Sequence, residues 1–268
     1  MARAEELARD PAPGDRADGR PLAALADRLR PPELARDRRL PVLPALDGLL
    51  PAAGLRRGTT AAVDARPGVA GATSLALALA AGASQAGSWV AAVGLGSLGL
   101  VAASEMGVAF ERLALVADPG RERAGWASVV AALVDGFDVV LVATGADAGR
   151  PAGGVRPADA RRLVARVRER GAVLVAVGGD LPGERSPLRL TVTSSRWQGL
   201  GEGWGHLQGR RMTVEAAGRG EAARDRRAEL WLPGPEGTVA AVEPVAEPIP
   251  LRPRPRSRHR ARSPRVGA

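Results

Sequence analysis

Between residues 60 and 177, short runs of Val, Ala and Leu alternate with stretches of helical length. Strands are predicted at 60–63, 89–93, 113–116, 139–142 and 173–177. Helices are predicted at 73–83, 98–106, 126–134 and 158–170. Strands that alternate with helices call for crossover connections, and crossovers produce a parallel sheet covered on both faces. The run Val139-Val140-Leu141-Val142 has no polar side, as a central strand buried on both faces requires. Beyond residue 187 the pattern changes. Segments 188–193, 210–216 and 226–232 read as strands with no helix between them, which predicts an antiparallel extension of the sheet. The fold class expected is therefore α/β, a mainly parallel sheet sandwiched by helices.

The chain divides into three parts: an N-terminal extension at 1–39, partly helical or disordered, with a short helix at 22–29; a core at 40–233; and a Pro/Arg-rich tail at 234–268, expected to be disordered because it cannot bury a core. With 45% apolar but 3% aromatic residues, the core must be built from Ala, Val and Leu. Cysteine is absent and there are two histidines, so a thiol nucleophile, a disulfide framework and a His/Cys metal site are excluded and no metal is expected. All 38 basic residues are arginine. A chain with no lysine has no Schiff-base or phosphate-gripping lysine, and arginine is too bulky and too permanently charged to replace one. The net charge of +9 is uneven: the tail alone carries seven Arg and three Glu. The first twenty residues hold no apolar signal core, and the apolar stretches near 75–103 are broken by Gly and Ser. A cytoplasmic chain, free of membrane spans and in reach of the nucleoid, is expected.

Nucleotide chemistry would sit in the strand–loop–helix at 60–83. If Gly71 is the second Gly of a phosphate-binding P-loop, the first Gly position is Arg66, the Lys position is Ala72 and the Ser/Thr position is Thr73. Gly71 and Thr73 are what remains of that pattern; the same residues would also serve as an ordinary helix start.

The strings GLRRG, TSLALALAAGASQAG, WVAAVG, FDVVLVAT and AVLVAVG, in this order, resemble the RecA-like family. RLPVLPALDGLLPAAGLRRG, LALVADPG, RLTVTSSRWQGLG and AELWLPGP resemble more narrowly its actinobacterial ImuA-prime branch. The resemblance covers residues 40–234 and implies a RecA-like sheet. It also implies an accessory role in damage-induced, error-prone translesion synthesis, with an ImuB-like inactive Y-family polymerase relative as partner and, through it, an error-prone DnaE-type polymerase. The family's catalytic positions carry over poorly. Its lysine falls on Ala72, and its catalytic Glu falls in Gly94-Leu95-Gly96-Ser97. The Walker-B acid falls on Ala143 or Thr144, and the sensor on Gly178 or Gly179. Asp138 stands at the wrong end of its strand. With no catalytic residue carried over, the expectation is a protein without ATPase activity and with no cofactor, Gly71 and Thr73 being vestiges of an ATP seat.

The loops that face DNA in this family would fall at 145–157, with Arg150 and Arg156, and at 178–187, where Asp180 and Glu184 oppose Arg185. Neither loop has an aromatic residue for base stacking. Helix 158–170 carries five arginines, expected to form a solvated face. In the tail, Arg252, Arg254, Arg256, Arg258, Arg260, Arg262 and Arg265 form a basic arm suited to nucleic-acid phosphates. Trp197 and Trp204 are expected to cover the end of the core rather than to anchor a partner. Two further readings stay open: an ATP-dependent recombinase relative, and a module that binds nucleic acid through its tail.

Overall fold

The computed structural model describes residues 38–96, 98–119, 123–144, 155–200 and 204–242. The readings for 1–37, for the tail arginines from Arg252 to Arg265 and for most of the loop with Arg150 lie outside them.

Strand β1 (Arg39–Pro41) is followed by 3-10 turns at Pro44–Leu49 and Pro51–Ala53 and by β2 (Gly54–Arg56), which pairs antiparallel with β1. The string GLRRG, residues 54–58, thus begins with a strand. The turn itself is Arg57-Gly58, where Gly58 takes φ +73. Next come β3 (Thr59–Ala65), α1 (Ala72–Gln85), β4 (Val90–Val93), α2 (Leu100–Glu105) and β5 (Leu113–Val116). These are followed by α3 (Arg123–Gly136), β6 (Val139–Ala143), α4 (Pro157–Arg170) and β7 (Val173–Val177). Last come β8 (Leu188–Leu200), β9 (Gly205–Gly218), β10 (Arg226–Trp231) and β11 (Ala240–Ala241).

One nine-stranded sheet runs β11-β10-β9-β8-β3-β7-β6-β4-β5. From β8 to β5 all pairings are parallel; from β8 to β11 they are antiparallel. The expected antiparallel extension is present, and it is longer than expected. Strands β8 and β9 form a hairpin that continues beyond the expected strands 188–193 and 210–216, because bulges at Val192/Ser194 and Gln198/Leu200 absorb the irregularity without ending the ladder. Gly199, at φ +101, leaves no room for a side chain: a Cβ there would stand 2.2 Å from the His206 carbonyl oxygen. Residues 234–242, expected in the tail, also fold back. The Gly234 amide donates to the Thr238 carbonyl at 2.7 Å, and β11 pairs with β10.

The central strands divide their apolar runs by period two. Val139, Leu141, Val173 and Val175 pack on the side of α1, whereas Val140, Val142, Leu174 and Ala176 pack on α3 and α4. Helix α1 is buried over every residue from Leu75 to Ser84. A helix apolar all round needs a cover on both sides; the second cover includes β1 and the residue after it, where Leu40 and Val42 are buried in the same cluster and the Val42 backbone lies close against Gly82. Each leucine so buried contributes about 2 kcal/mol.

Helices α3 and α4 are linked at their outer rims. The Asp135 carboxylate accepts hydrogen bonds from Arg166 Nε at 2.6 Å and Arg170 Nε at 3.0 Å. The hydrogen bond from Arg166 is the chief cause that holds its pKa down at about 2; burial, the next largest effect, works the other way, and the charges of Arg166 and Arg170 and the hydrogen bond from Arg170 add to the lowering. A depressed carboxylate contributes stability that is present above the ordinary aspartate range and is lost as pH falls through about 2. The Asp135→Asn variant is therefore expected to show a flatter decline of melting temperature between about pH 4 and pH 2 than the parent, and the difference should shrink in high salt.

Candidate functional site

The carboxyl ends of parallel strands are where open α/β sheets bind ligands. Strand β3 ends there at Asp64-Ala65, the loop 66–71 follows, and α1 begins at Ala72. Gly71 precedes the helix at φ +129, a conformation side chains rarely adopt. A Cβ at this position would stand 2.5 Å from Met212 Cε, so the side chain of fully buried Met212 lies directly against the backbone at Gly71. The loop is also tied down. Its Arg66 amide donates to the Val192 carbonyl at 3.0 Å, and the Val69 amide to the Arg66 carbonyl at 2.9 Å.

Thr73 is half-buried in the first turn of α1. Beside it, the Ser74 hydroxyl accepts a hydrogen bond from Arg210 Nη2 at 2.6 Å. Arg210 comes from β9 and is 7% exposed. Its Nε donates to the Leu232 carbonyl at 2.8 Å, and its guanidinium carbon lies 5.2 Å from the centre of the Trp197 ring. Among the described residues no carboxylate pairs with it, and burial lowers its pKa from the ordinary arginine value.

Next to the loop, Arg189 of β8 bridges two carboxylates, Asp64 at the end of β3 and Asp180 after β7. Burial raises the Asp180 pKa, but the hydrogen bonds from Ser186 (the amide at 3.0 Å) and the Arg189 charge outweigh it and leave the group below its ordinary value. Arg189, in turn, is pushed down by burial and further up by Asp180 and Asp64, so its pKa ends above its ordinary value. Asp64 Oδ1 is buried with no hydrogen-bond donor among the described residues. Just past β6, Thr144 Oγ1 donates a hydrogen bond shared between the Val177 and Gly179 carbonyls, at 3.1 and 2.8 Å, so this hydroxyl ties the ends of β6 and β7 together. Asp138, at the opposite edge, accepts from Arg57 Nη1 at 2.8 Å and from the Trp89 amide at 2.9 Å.

These residues do not fit a nucleoside triphosphate. The lysine position is Ala72, Met212 rests on Gly71, the Ser74 hydroxyl is engaged by Arg210, and the two nearby carboxylates are both engaged by Arg189. Gly71 and Thr73 both lie at the start of α1. Sequence reading missed Asp64, Arg189, Arg210 and Met212. Only Asp64 carried a local signal, an acid at the end of an apolar strand; the others reach the loop through sheet pairing.

Of the arginines read as DNA-facing, Arg156 is exposed at the start of α4. Arg185, by contrast, lies beside the later turns of that helix, in a cleft with Val164 and Arg168. The two tryptophans expected to cover the core do the reverse. Trp197 is 48% and Trp204 78% exposed, and Leu200 and Leu207 of the same hairpin are exposed too. The physical reason is the length of the hairpin, whose far end projects past the neighbouring strands.

Residues 48–183, half of the chain, match the family model described as the MT3502 N-terminal domain. The chain belongs to the MT3502 N-terminal domain family. A protein of Mycobacterium tuberculosis, "Uncharacterized protein Rv3395c", is 36% identical over 156 residues, which cover 56% of this chain and 72% of that protein. The MT3502 segment holds β3, the loop at 66–71, α1 and the Walker-B place. Arg210, Met212 and the Trp197 hairpin lie beyond it.

Proposed function

We propose that the chain is a RecA-like accessory protein of error-prone translesion synthesis, akin to the ImuA-prime branch, that works through protein contacts and hydrolyses no ATP. The observation that carries this reading is the closed phosphate loop: Met212 against Gly71, Arg210 on Ser74 and no carboxylate at the Walker-B place. The parallel sheet with this loop at the carboxyl end of a central strand, extended on one side by antiparallel strands, supports a RecA-like fold. The exposed Trp204, Trp197, Leu200 and Leu207 support a protein-binding role, since an apolar hairpin rimmed by arginines is the composition of an interface anchor. The partner is an ImuB-like inactive Y-family polymerase relative, which in turn brings a DnaE-type polymerase.

Two measurements test this. ATP turnover by the purified chain is expected to equal that of an Arg66→Ala, Thr73→Ala variant; turnover above that baseline points to the recombinase reading and overturns this one. Co-purification with the ImuB-like partner is expected to fall at least tenfold in a Leu200→Ser, Trp204→Ser variant, or on truncation after residue 242. Binding unchanged in both would remove the protein-contact role.

A further inference from the structure

A basic cleft lies away from the phosphate loop, where β3 begins. Its walls are the first residues of β3, the Arg57-Gly58 turn, the later turns of α4 and the end of the β7–β8 connection. It encloses about 440 Å³ and is lined by Arg56, Arg57, Arg168, Arg185 and Arg219, with Glu184 as the one acid. The connection from β7 runs along α4 to reach it: Gly183 lies against Pro157, and Glu184 and Arg185 lie further along, beside Val164 and Arg168. Sequence reading set Asp180 and Glu184 together against Arg185. In the structure Asp180 is drawn away to Arg189 and Ser186, and only Glu184 remains.

The arginines differ in how they are satisfied. Arg57 pairs with Asp138 at 2.8 Å, and Arg56 lies 3.5 Å from Glu221, which also serves Arg39. Arg219 Nη2 donates to the Arg185 carbonyl oxygen at 2.6 Å, a neutral acceptor. Among the described residues, Arg168, Arg185 and Arg219 have no carboxylate partner. The dipole of α4 favours Arg168 in its last turn, but only one of the five side chains is explained that way. Like charges gathered in one concave site repel one another and focus the field on an incoming anion. Guanidinium groups match phosphate oxygens in pairs, which makes phosphate the anion best suited to such a site. No aromatic residue lines the cleft, so recognition rests on phosphate rather than on stacked bases. A second cavity of about 440 Å³ shares Arg56, Thr59, Thr60, Pro187 and Arg219 with it, so an elongated ligand can continue past the first.

We propose that this cleft binds phosphate groups, those of a nucleic-acid strand or of a free polyphosphate. The inference is independent of the translesion reading and of the phosphate loop. The full chain is the reagent, with a 15-residue thymidylate oligonucleotide and inorganic pyrophosphate as separate probes. Hydrogen exchange is expected to slow at the amides of 57–60 and 184–186 with at least one probe. The Arg168→Gln, Arg185→Gln variant is expected to lose at least tenfold in affinity for that probe. With the oligonucleotide, its slope of log affinity against log salt should fall by about 1.4. An Arg161→Gln, Arg224→Gln variant removes the same charge from exposed sites elsewhere and is expected to lose less than twofold. Protection by the oligonucleotide assigns the phosphates to a strand, and protection by pyrophosphate alone assigns them to a free polyphosphate. No protection at these amides with either probe, or equal loss in the two variants, overturns the proposal.

Discussion

Replacing Gly82 by alanine is expected to remove a large share of the protein's stability. Gly82 lies in the last third of α1, where an alanine would ordinarily help a helix by about 1 kcal/mol. Here a Cβ would stand 2.3 Å from the Val42 carbonyl carbon, 2.5 Å from its Cα and 2.7 Å from the Leu43 nitrogen. All three are backbone atoms, so no side chain can swing aside. Either α1 must retreat from the segment that covers it, or that segment must lift. Both movements loosen Leu40 and Val42, which are buried in the same core cluster as the helix. Overpacking costs about 1–3 kcal/mol where side chains can adjust, and here, where only backbone can yield, about 3 kcal/mol or more, a large share of an ordinary domain's stability. Urea melts give the measure, and Gly136→Ala gives the contrast. Gly136 ends α3 with nothing within 4 Å of a new Cβ, so that variant should be neutral or gain up to about 1 kcal/mol. A Gly82→Ala midpoint equal to the parent's would mean that the cover on α1 is not the close contact described.

The same contact shows what a sequence can and cannot convey. The β–α alternation was legible because burial on both faces leaves unbroken apolar runs, and Val139–Ala143 and Val173–Val177 lie close to where those runs predicted strands. That Ala72 stands where a P-loop pattern would carry its lysine was legible too, since it is a matter of residue type at a fixed spacing. The pairings that close the loop were not. Arg210 meets Ser74 across 136 residues, Arg189 meets Asp64 across 125, and Met212 meets Gly71 across a similar distance. None of these has a local signature, because each depends on the register of β8 and β9. The hairpin itself was misread for the opposite reason. Gly199 and Gly205 look like loop residues, yet in a bulged antiparallel ladder they allow the strands to continue, and Trp197 and Trp204 stand at the surface instead of on the core. The basic cleft was hidden in the same way, since its arginines come from four separate parts of the chain.

Removing the Arg210 side chain is expected to have the other large effect, and its pattern across substitutions is more informative than its size. Arg210 is buried, yet it faces acceptors without charge: the Ser74 hydroxyl, the Leu232 carbonyl and the Trp197 ring. Arg210→Ala removes two hydrogen bonds and the packing of the stem, leaving a carbonyl and a hydroxyl in a space that nothing fills. A loss of about 2–4 kcal/mol follows. Arg210→Lys should recover little, because one ammonium cannot serve two acceptors in different directions and also lie flat on an indole. Arg210→Met keeps the apolar stem and discards the cost of burying an unpaired charge, so it should be more stable than the alanine variant and close to the parent. The local consequence separates tether from filler. In all three variants the amides at the start of α1, residues 72–74, should exchange faster, since the link from β9 is cut even where packing is kept. Were Arg210→Met to leave that exchange unchanged, the arginine would be filling space rather than holding the helix start, and the phosphate loop would owe its closed form to Met212 alone.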